Sequence, residues 1–332
     1  MNIEFENVNC DLCNSNNFEH ELTGIDREFN IQGDFTLSKC KNCGLLQLNP
    51  RPATQSIELI YPKTYGFYNT NLKPWWIRII SSIIKLKNSS TPSKKYPYLN
   101  NKTGRILDVG CSTGFTVYPY EQSGSLIDLK QKGWDAYGCE ISKEAAIIGQ
   151  RAGLNIKIGK LEEVEFEENF FDVIRFNHVL EHSFSPMKDL QKAKKLLKKD
   201  GIIIISGPNI NSLDYFLFKE YWSGLDLPRH FYQFTPEILK KYINELGLKT
   251  VSESFDGISD NFLHSFKHLL HSKLFWNENK VCSKSDVLMD IYTNRQKYNL
   301  LSKALNPVSE FLNERKLGDC YTIIAQKNLF PL

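Results

Sequence analysis

Two Cys-x2-Cys pairs near the N-terminus are the first pattern in the chain that can do chemistry. Cys10 and Cys13 form one pair, Cys40 and Cys43 form the other, and 26 residues separate the pairs. Four thiolates at this spacing can converge on one ion, as in tetrahedral zinc sites. Four such ligands leave no position for water or substrate, so a structural Zn²⁺ is expected, with a strand pair or loop filling the gap. The alternative is two unrelated turns with unpaired thiols.

A glycine-containing turn follows a short apolar segment at residues 105–109. Asp108 is followed by Gly110, Cys111 and Gly114. Glycines at such a turn let the backbone approach a ligand before the next helix begins. The G-x-G-x-x-G spacing of dinucleotide-binding proteins is absent, and no P-loop lysine follows Gly114. The segment therefore predicts a nucleoside-binding turn.

The next candidate strand, in the sequence DAYGCEIS at 135–142, ends in Glu140. A carboxylate at the tip of a second parallel strand can accept hydrogen bonds from both ribose hydroxyls of an adenosine. The turn and Glu140 together predict one nucleoside site.

Candidate general bases follow a later apolar strand, in the sequence His178-Val-Leu-Glu181-His182. Histidine titrates near neutrality, and in a beginning helix His178 and His182 would share one face beside Glu181. The alternative is that either histidine only caps or packs.

A second group lies in the aromatic segment LDLPRHFYQFTPEIL at 225–239. His230 is another candidate base, Arg229 suits an acceptor phosphate, and Tyr232 suits the face of a sugar ring. The alternative is an ordinary surface loop.

Three further histidines, His264, His268 and His271, lie at helical spacing. They could chelate a metal, but no carboxylate or cysteine stands at a matching spacing. A helix face is therefore the favoured interpretation.

Strand, helix and strand patterns alternate from residue 105 onward. The apolar strands lie in LNIKIGKLEEV, FDVIRFNHVLEH and KKLLKKDGIIIISGPN. Repeated βαβ units with strands apolar on both faces predict an α/β fold with a doubly wound parallel sheet.

The order of these motifs resembles class I S-adenosylmethionine-dependent methyltransferases. Asp108-x-Gly110-x-x-x-Gly114, Glu140, the turn Gly159-Lys160-Leu161-Glu162 and Asn177-His178 follow each other as in that superfamily. The sequence HVLEH and the downstream Gly201 and Pro208-Asn209 resemble the Methyltransf_23 group.

The resemblance implies a Rossmann-like seven-stranded methyltransferase sheet that binds S-adenosylmethionine. A sixth strand at 248–254 and a seventh at 319–327 would pair antiparallel at one edge, with a helical lid insertion at 257–318. The implied cofactor-binding residues are Asp108, Gly110, Cys111, Gly114, Glu140, Lys160, Leu161 and Asn177.

The cysteine pairs and the following GLLQLNPRP resemble the zinc module of methyltransferases in bacterial polysaccharide and deoxysugar biosynthesis. This resemblance implies a small-molecule, sugar-type acceptor, either nucleotide-activated or borne on a glycan. The alternatives are an rRNA or tRNA base methyltransferase and a non-catalytic scaffold that binds S-adenosylmethionine.

Composition and charge restrict the class of protein. The 332 residues are 41% hydrophobic and 24% charged, which excludes disordered and fibrous chains. Residues 1–60 hold four basic and nine acidic side chains, a local charge of −5, whereas 61–104 hold eight basic and no acidic ones. Residues 1–60, the N-terminal head, are therefore acidic, and this charge argues against a nucleic-acid partner. We predict a zinc-ribbon-like module at 1–60, a basic connector at 61–103 and a methyltransferase domain at 104–332.

The connector contains a helical apolar stripe after Trp75-Trp76, continued by Ile79, Ile80, Ile83 and Ile84. Such a helix could contact an anionic membrane surface, cover the cofactor cleft or pack as an ordinary connector. No stretch reaches the roughly 18 apolar residues of a membrane span, and no secretory signal begins the chain. A cytoplasmic location is expected.

Overall fold

The described part of the chain comprises residues 3–61, 99, 103–115, 124–256, 260–274, 308 and 310–327 of a computed structural model. The predicted helix after Trp75-Trp76, and with it the expected membrane contact, lies outside these residues. Most of the predicted lid insertion also lies outside them, apart from one helix and the residues next to the last strand.

The first sixty residues form short strands around the cysteine pairs. The strands and the helix that follows them are β1 (Phe5–Glu6), β2 (Phe18–Gly24), β3 (Phe35–Cys40), β4 (Leu46–Leu48), β5 (Arg51–Pro52) and α1 (Ile57–Ile60). The antiparallel pair β2 and β3 fills the gap between the two cysteine pairs, as expected, and β1 pairs with β5.

Eight strands follow: β6 (Arg105–Val109), β7 (Asp135–Glu140), β8 (Asn155–Ile158), β9 (Phe171–Asn177), β10 (Leu197–Pro208), β11 (Tyr232–Gln233), β12 (Leu248–Asp256) and β13 (Cys320–Lys327). All but β11 form a seven-stranded sheet in the order β12-β13-β10-β9-β6-β7-β8. Strand β13 runs antiparallel to β10 and β12, whereas the pairs from β10 to β8 are parallel. The predicted Rossmann-like sheet with an antiparallel edge is confirmed.

Local capping positions the helices around this sheet. They are α2 (Leu126–Gln131), α3 (Lys143–Arg151), α4 (Pro186–Leu196), α5 (Leu213–Phe218), α6 (Pro236–Glu245) and α7 (Asp260–Leu274). At the start of α2 through α6, a serine or threonine side chain accepts a hydrogen bond from a first-turn N–H, at Ser125, Ser142, Ser185, Ser212 and Thr235. Such N-caps fix where each helix begins.

The central strands are buried on both faces, which explains their continuous apolar runs. Ile203, Ile204 and Ile205 in β10 are all buried, although successive side chains point to opposite faces of the sheet. Helices must therefore cover both faces, and they leave the carboxyl ends of the parallel strands as the place for a site.

The N-terminal head, residues 1–60, and the body that contains the seven-stranded sheet share a second sheet. Strand β11 from the body pairs antiparallel with β4, which gives the order β11-β4-β3-β2. Phe35 and Leu37 of the head belong to the same buried cluster as Tyr232 and Phe234 of the body. A continuous core therefore joins the two parts.

Among the described residues, no helix combines the length and apolar character needed to cross a bilayer.

Candidate functional site

The glycine turn after β6 lies where a ligand can meet the backbone. Gly110 has φ +65°, and the backbone N–H groups of Gly110 and Cys111 donate to the Cys139 carbonyl at 2.8 and 3.2 Å. A Cβ at Gly110 would lie 2.6 Å from Val179 Cγ2. The turn therefore requires glycine both for its conformation and for its close packing.

Glu140 stands at the end of the neighbouring strand and is fixed against this turn. The backbone N–H of Ser112 donates to Oε2 at 2.8 Å, and that of Ser142 donates to Oε1 at 2.8 Å. Each carboxylate oxygen can accept more than one hydrogen bond, so Glu140 can still receive ribose hydroxyls. The predicted adjacency of the glycine turn and Glu140 is thus observed.

The segment after β8 is the third part of the candidate cofactor site, beside the glycine turn and Glu140. The Gly159 N–H donates to the Glu140 carbonyl at 2.9 Å, and the Lys160 N–H donates to Glu163 Oε2 at 2.9 Å. Leu161 is buried in the core.

Two apolar side chains that the sequence analysis did not select flank Glu140. Ile141 and Ile158 are 61% and 43% exposed, although both are large and apolar. Ile158 is the cross-strand partner of Glu140. Exposed aliphatic groups beside a carboxylate that can bind ribose suit the faces of an adenine ring, so these residues fit the proposed ligand. The sequence feature that points to Ile141 is its position directly after Glu140, the carboxylate that ends β7.

The other predicted cofactor residues contribute less directly. Asp108 forms a bidentate ion pair with the buried Arg175, with Nε to Oδ1 at 2.8 Å and Nη2 to Oδ2 at 2.6 Å. The Cys111 side chain is buried in the core, and burial together with the charge of Asp108 holds its pKa well above the usual value. Gly114 has φ +74° at the end of the turn, and Asn177 ends β9.

Glu181 is the centre of the predicted acid–base group. It is fully buried, and His178 Nδ1 lies 3.6 Å from its Oε1. Burial by itself raises the pKa of Glu181, but the interaction with His178 and the positive charges of the surrounding histidines outweigh burial and lower it to about 2. Since this lowering comes from positively charged imidazoles, the ionised form of Glu181 and a proton on a neighbouring histidine favour each other.

His182 and His230 complete this group. Their ring centroids are 4.5 Å apart, and the ligand atoms of Glu181, His182 and His230 all lie within 4.8 Å of one another. The segment Leu180–His182 is a single 3₁₀ turn rather than the start of an α-helix. A turn of this kind places Glu181 inside, whereas His182 remains partly exposed.

Hydrogen bonds to backbone carbonyls determine the tautomers of both rings. His182 Nδ1 lies 3.1 Å from the Arg229 carbonyl, and His230 Nδ1 lies 2.8 Å from the Gly224 carbonyl. A carbonyl can only accept, so each Nδ1 carries a hydrogen, and in the neutral form of His182 this leaves Nε2 as the proton acceptor. His230 Nε2 instead lies 3.8 Å from Asp226 Oδ2. His182 is partly exposed whereas His230 is buried, and Tyr61 Oη lies 3.2 Å from His182 Nδ1.

The side chain of Arg229 is placed differently from the expected acceptor contact. It is fully buried and pairs with Asp26 at 2.7 Å and Asp226 at 2.8 Å. Burial opposes its charge, but these two carboxylates hold its pKa well above the usual value. An acceptor phosphate would have to displace both carboxylates, so this arginine acts as a structural ion pair.

Tyr232 is likewise occupied in the described structure. It is buried in β11, and its hydroxyl donates to the Phe184 carbonyl at 3.1 Å. Its ring could face an acceptor only after this hydrogen bond and the strand pairing had been disrupted.

The four N-terminal cysteines converge as expected for a metal centre. All four Sγ atoms lie within 4.8 Å of one another, with Cys10 to Cys43 at 3.4 Å and Cys13 to Cys40 at 3.5 Å. Ligands of a tetrahedral ion with Zn–S bonds near 2.3 Å would be about 3.8 Å apart. Burial raises the pKa of Cys43 to about 11 and raises the pKa of Cys10 further. At Cys40 burial also opposes ionisation, but the backbone N–H groups of Cys43 and Asn42 and the neighbouring thiols outweigh it and lower the pKa to about 7. The donor set and geometry fit a zinc ion.

Comparisons with known proteins find a matching family model and several relatives. The sequence model of Methyltransf_23, described as a methyltransferase domain, matches residues 87–253. An uncharacterised protein of Methanocaldococcus jannaschii is 36% identical over 118 residues, which cover 36% of this chain and 50% of that protein. A ubiquinone biosynthesis O-methyltransferase of Glaesserella parasuis is 26% identical over 136 residues, which cover 36% of this chain and 54% of that enzyme.

Solved structures of low sequence identity also align with part of the chain. The crystal structure of a SAM-dependent methyltransferase from Archaeoglobus fulgidus aligns with a TM-score of 0.42 and 20% identity, over 75% of this chain and 94% of that one. The chain spans about half the length of the first curated relatives that it matches.

Proposed function

Because the chain belongs to the Methyltransf_23 family of methyltransferase domains, we propose that it transfers a methyl group from S-adenosylmethionine to a small-molecule acceptor. The observation that carries this proposal is the adjacency of the glycine turn, Glu140 and the Glu181 group at the carboxyl ends of neighbouring parallel strands. Nucleoside ligands bind at this edge of doubly wound sheets.

The acceptor atom that this group serves best is a hydroxyl oxygen. S-adenosylmethionine, when bound, supplies an electrophilic methyl group, so the protein must orient the acceptor and take up its proton. His182 Nε2 receives that proton, since Nδ1 donates to the Arg229 carbonyl. Glu181, ionised and buried beside the histidines, stabilises the resulting imidazolium.

A nucleotide-activated or glycan-borne sugar is the acceptor class that we propose first. The likeness of the cysteine-containing head to modules of sugar-biosynthesis methyltransferases supports it. Aromatic groups beside His182, including Tyr61 and the partly exposed Phe184, are suited to the apolar face of a pyranose. A phenolic hydroxyl is the second candidate, favoured by the relatives named as ubiquinone biosynthesis O-methyltransferases.

The head carries a structural Zn²⁺ in this proposal. Cys10, Cys13, Cys40 and Cys43 would hold it, and a closed four-thiolate site leaves it no place in the methyl transfer.

The proposal is tested by release of S-adenosylhomocysteine from methyl-labelled cofactor against a panel of nucleotide-sugars and phenols. We expect turnover with one acceptor class and a decrease of roughly 10² to 10⁴ in kcat for His182→Gln, with unchanged cofactor affinity, because a general base acts only on the reacting acceptor. His20→Gln, at an exposed position in β2, is the matched control and should keep wild-type turnover.

Calorimetry on the same samples separates the alternatives. Failure to bind S-adenosylmethionine would refute the methyltransferase proposal. Binding without turnover on any acceptor would favour the scaffold, and methylation of RNA with steeply salt-dependent affinity would favour the base methyltransferase.

A further inference from the structure

A second group of metal-ligand side chains lies outside the acid–base group and the cysteine cluster. Glu28 comes from the loop between β2 and β3, whereas His264 and His268 lie one turn apart on α7. Glu28 Oε1 is 3.3 Å from His264 Nδ1 and 3.8 Å from His268 Nε2. All three side chains are buried, and their ligand atoms lie within 4.8 Å of one another. The carboxylate that the sequence around the histidines lacks is thus supplied by the head.

We propose that Glu28, His264 and His268 bind a divalent transition-metal ion of the zinc type, separate from the one expected at the four cysteines. Two imidazoles and one carboxylate are a usual donor set for Zn²⁺ and related first-row ions. Ligand atoms that share a tetrahedral ion with bonds near 2.1 Å stand about 3.4 Å apart, which is close to the two observed separations.

Charge and burial also favour an ion at this place. A buried carboxylate needs a cation beside it, and the two imidazoles that surround Glu28 have ring centroids 4.5 Å apart. If both rings were protonated, two positive charges would share one carboxylate at this distance. A metal ion instead requires both rings to be neutral and concentrates the positive charge opposite Glu28.

A cavity adjoins two of the three proposed ligands. Glu28 and His268 line this cavity together with Arg27 and Asp226. The Arg27 guanidinium is held by the Glu220 carbonyl at 3.0 Å, and it stacks over the Tyr221 ring. In this proposal, a water molecule from the cavity completes the tetrahedral shell of the ion.

Such an ion would join the head and α7 to the segment that carries His230. Asp26 Oδ1 accepts the Glu28 N–H at 2.9 Å, so it shapes the loop that presents Glu28. Asp26 also pairs bidentately with Arg229, the residue before His230, at 2.9 and 2.7 Å. The ion would therefore have a positioning role for the acid–base group rather than a place in the chemistry.

The test is metal analysis of the full-length chain after zinc loading and removal of loosely bound ions. We expect about two zinc ions per chain in the wild type, about one in His268→Gln and about two in the control His20→Gln, since His268 is one of the three proposed ligands among the described residues. One zinc per chain in the wild type, unchanged by His268→Gln, would mean that Glu28 and the histidines form an ion pair only.

Cobalt(II) substitution identifies which site is filled and shows that the variants are folded. The cysteine site gives thiolate-to-cobalt charge-transfer bands, whereas a His₂Glu site gives only d–d bands. We expect His268→Gln to lose the d–d bands of the His₂Glu site and to keep the charge-transfer bands of the cysteine site. His268→Cys should add a thiolate-to-cobalt charge-transfer band from the His₂Glu site. Spectra of wild type and His268→Cys that contain only the bands of the four-cysteine site would overturn the proposal.

Discussion

At the scale of single residues, Glu140 combines an observed role with a proposed one. Its oxygens orient the backbone at Ser112 and Ser142, and in the proposed cofactor site they also accept hydrogen bonds from the ribose hydroxyls. Glu140→Gln keeps one acceptor oxygen and the size of the side chain but loses the charge that strengthens such hydrogen bonds.

We therefore expect Glu140→Gln to fold and to bind S-adenosylmethionine about 10- to 100-fold more weakly, which corresponds to roughly 1.5–3 kcal/mol. Titration calorimetry measures this change. Glu144→Gln, four residues away in the first turn of α3, is the control and should leave the affinity unchanged. Equal affinities for both variants and the wild type would remove Glu140 from the cofactor site.

At the scale of elements, the glycine turn and the 3₁₀ turn after β9 determine each other's shape. Gly110 packs against Val179, the residue immediately before Leu180–His182. The sequence predicted a turn after β6 and strands that end at Glu140 and Asn177, because apolar runs and glycines act locally. It did not predict that the segment after β9 would be a 3₁₀ turn, since that shape depends on packing against another element.

Gly110→Ala should disturb both turns. The added Cβ would lie 2.6 Å from Val179 Cγ2, so the 3₁₀ turn would have to move and we expect turnover and cofactor affinity to fall together by about tenfold or more. Gly133→Ala is a matched control, because Gly133 also has a positive φ but its Cβ would meet only Thr103 Cγ2, at 3.5 Å. Steady-state kinetics and calorimetry on both variants separate the effect of the Val179 contact from that of backbone strain. Similar losses of turnover and cofactor affinity in the two variants would mean that backbone strain alone causes them.

At the scale of the whole molecule, the head is part of the folded body rather than an appendage. Strand β11 completes the sheet of the head, and Asp11, between the first two cysteines, accepts hydrogen bonds from the Met187 N–H and the Tyr242 hydroxyl, both at 2.9 Å. Loss of the metal site should therefore affect the stability of the methyltransferase sheet as well.

We expect Cys13→Ser to release about one zinc ion per chain and to lower the melting temperature of a single cooperative transition, by several degrees or more. Calorimetric scans with metal analysis measure both effects. Lys41→Ser, an exposed position in the second cysteine hairpin, should change neither. A separate low-temperature transition, with the main one unmoved, would show that the head unfolds independently.

A pair of buried acids links α5 to the chain before β13. Burial and the negative charge of Asp319 raise the pKa of Asp214 to about 8. The folded state therefore binds this proton more tightly than the unfolded state does. Its contribution to stability is complete below the ordinary pKa of an aspartate and is lost as the pH rises toward 8.

Asp214→Asn carries no ionisable proton at this position. At pH 9 its free energy of unfolding should exceed that of the wild type by on the order of a few kcal/mol, and the difference should vanish near pH 4. Denaturant titrations of both proteins between these pH values measure it. Asp200→Asn, at an exposed position, should show no such trend. A stability difference that does not vary with pH would contradict the buried ionisation.

The sequence by itself determined what depends on near neighbours along the chain. The spacing of Cys10, Cys13, Cys40 and Cys43, the glycines after Asp108 and the apolar strand runs each act over a few residues, so their types and intervals predict the cysteine centre, the nucleoside turn and the sheet. The candidate site residues at strand ends were predicted to lie close together because the carboxyl ends of parallel strands meet at one edge of the sheet.

Only the tertiary structure decided which distant side chains become partners. Arg229 pairs with Asp26 across 203 residues, and Glu28 reaches His264 and His268 from the other end of the chain. Their sequence neighbourhoods contain no sign of these pairings, because burial and charge balance select partners only after the strands and helices have packed. For the same reason Arg229, which was predicted to bind an acceptor phosphate, forms a buried ion pair instead. His264 and His268, which were predicted to form a helix face, lie beside the carboxylate of Glu28.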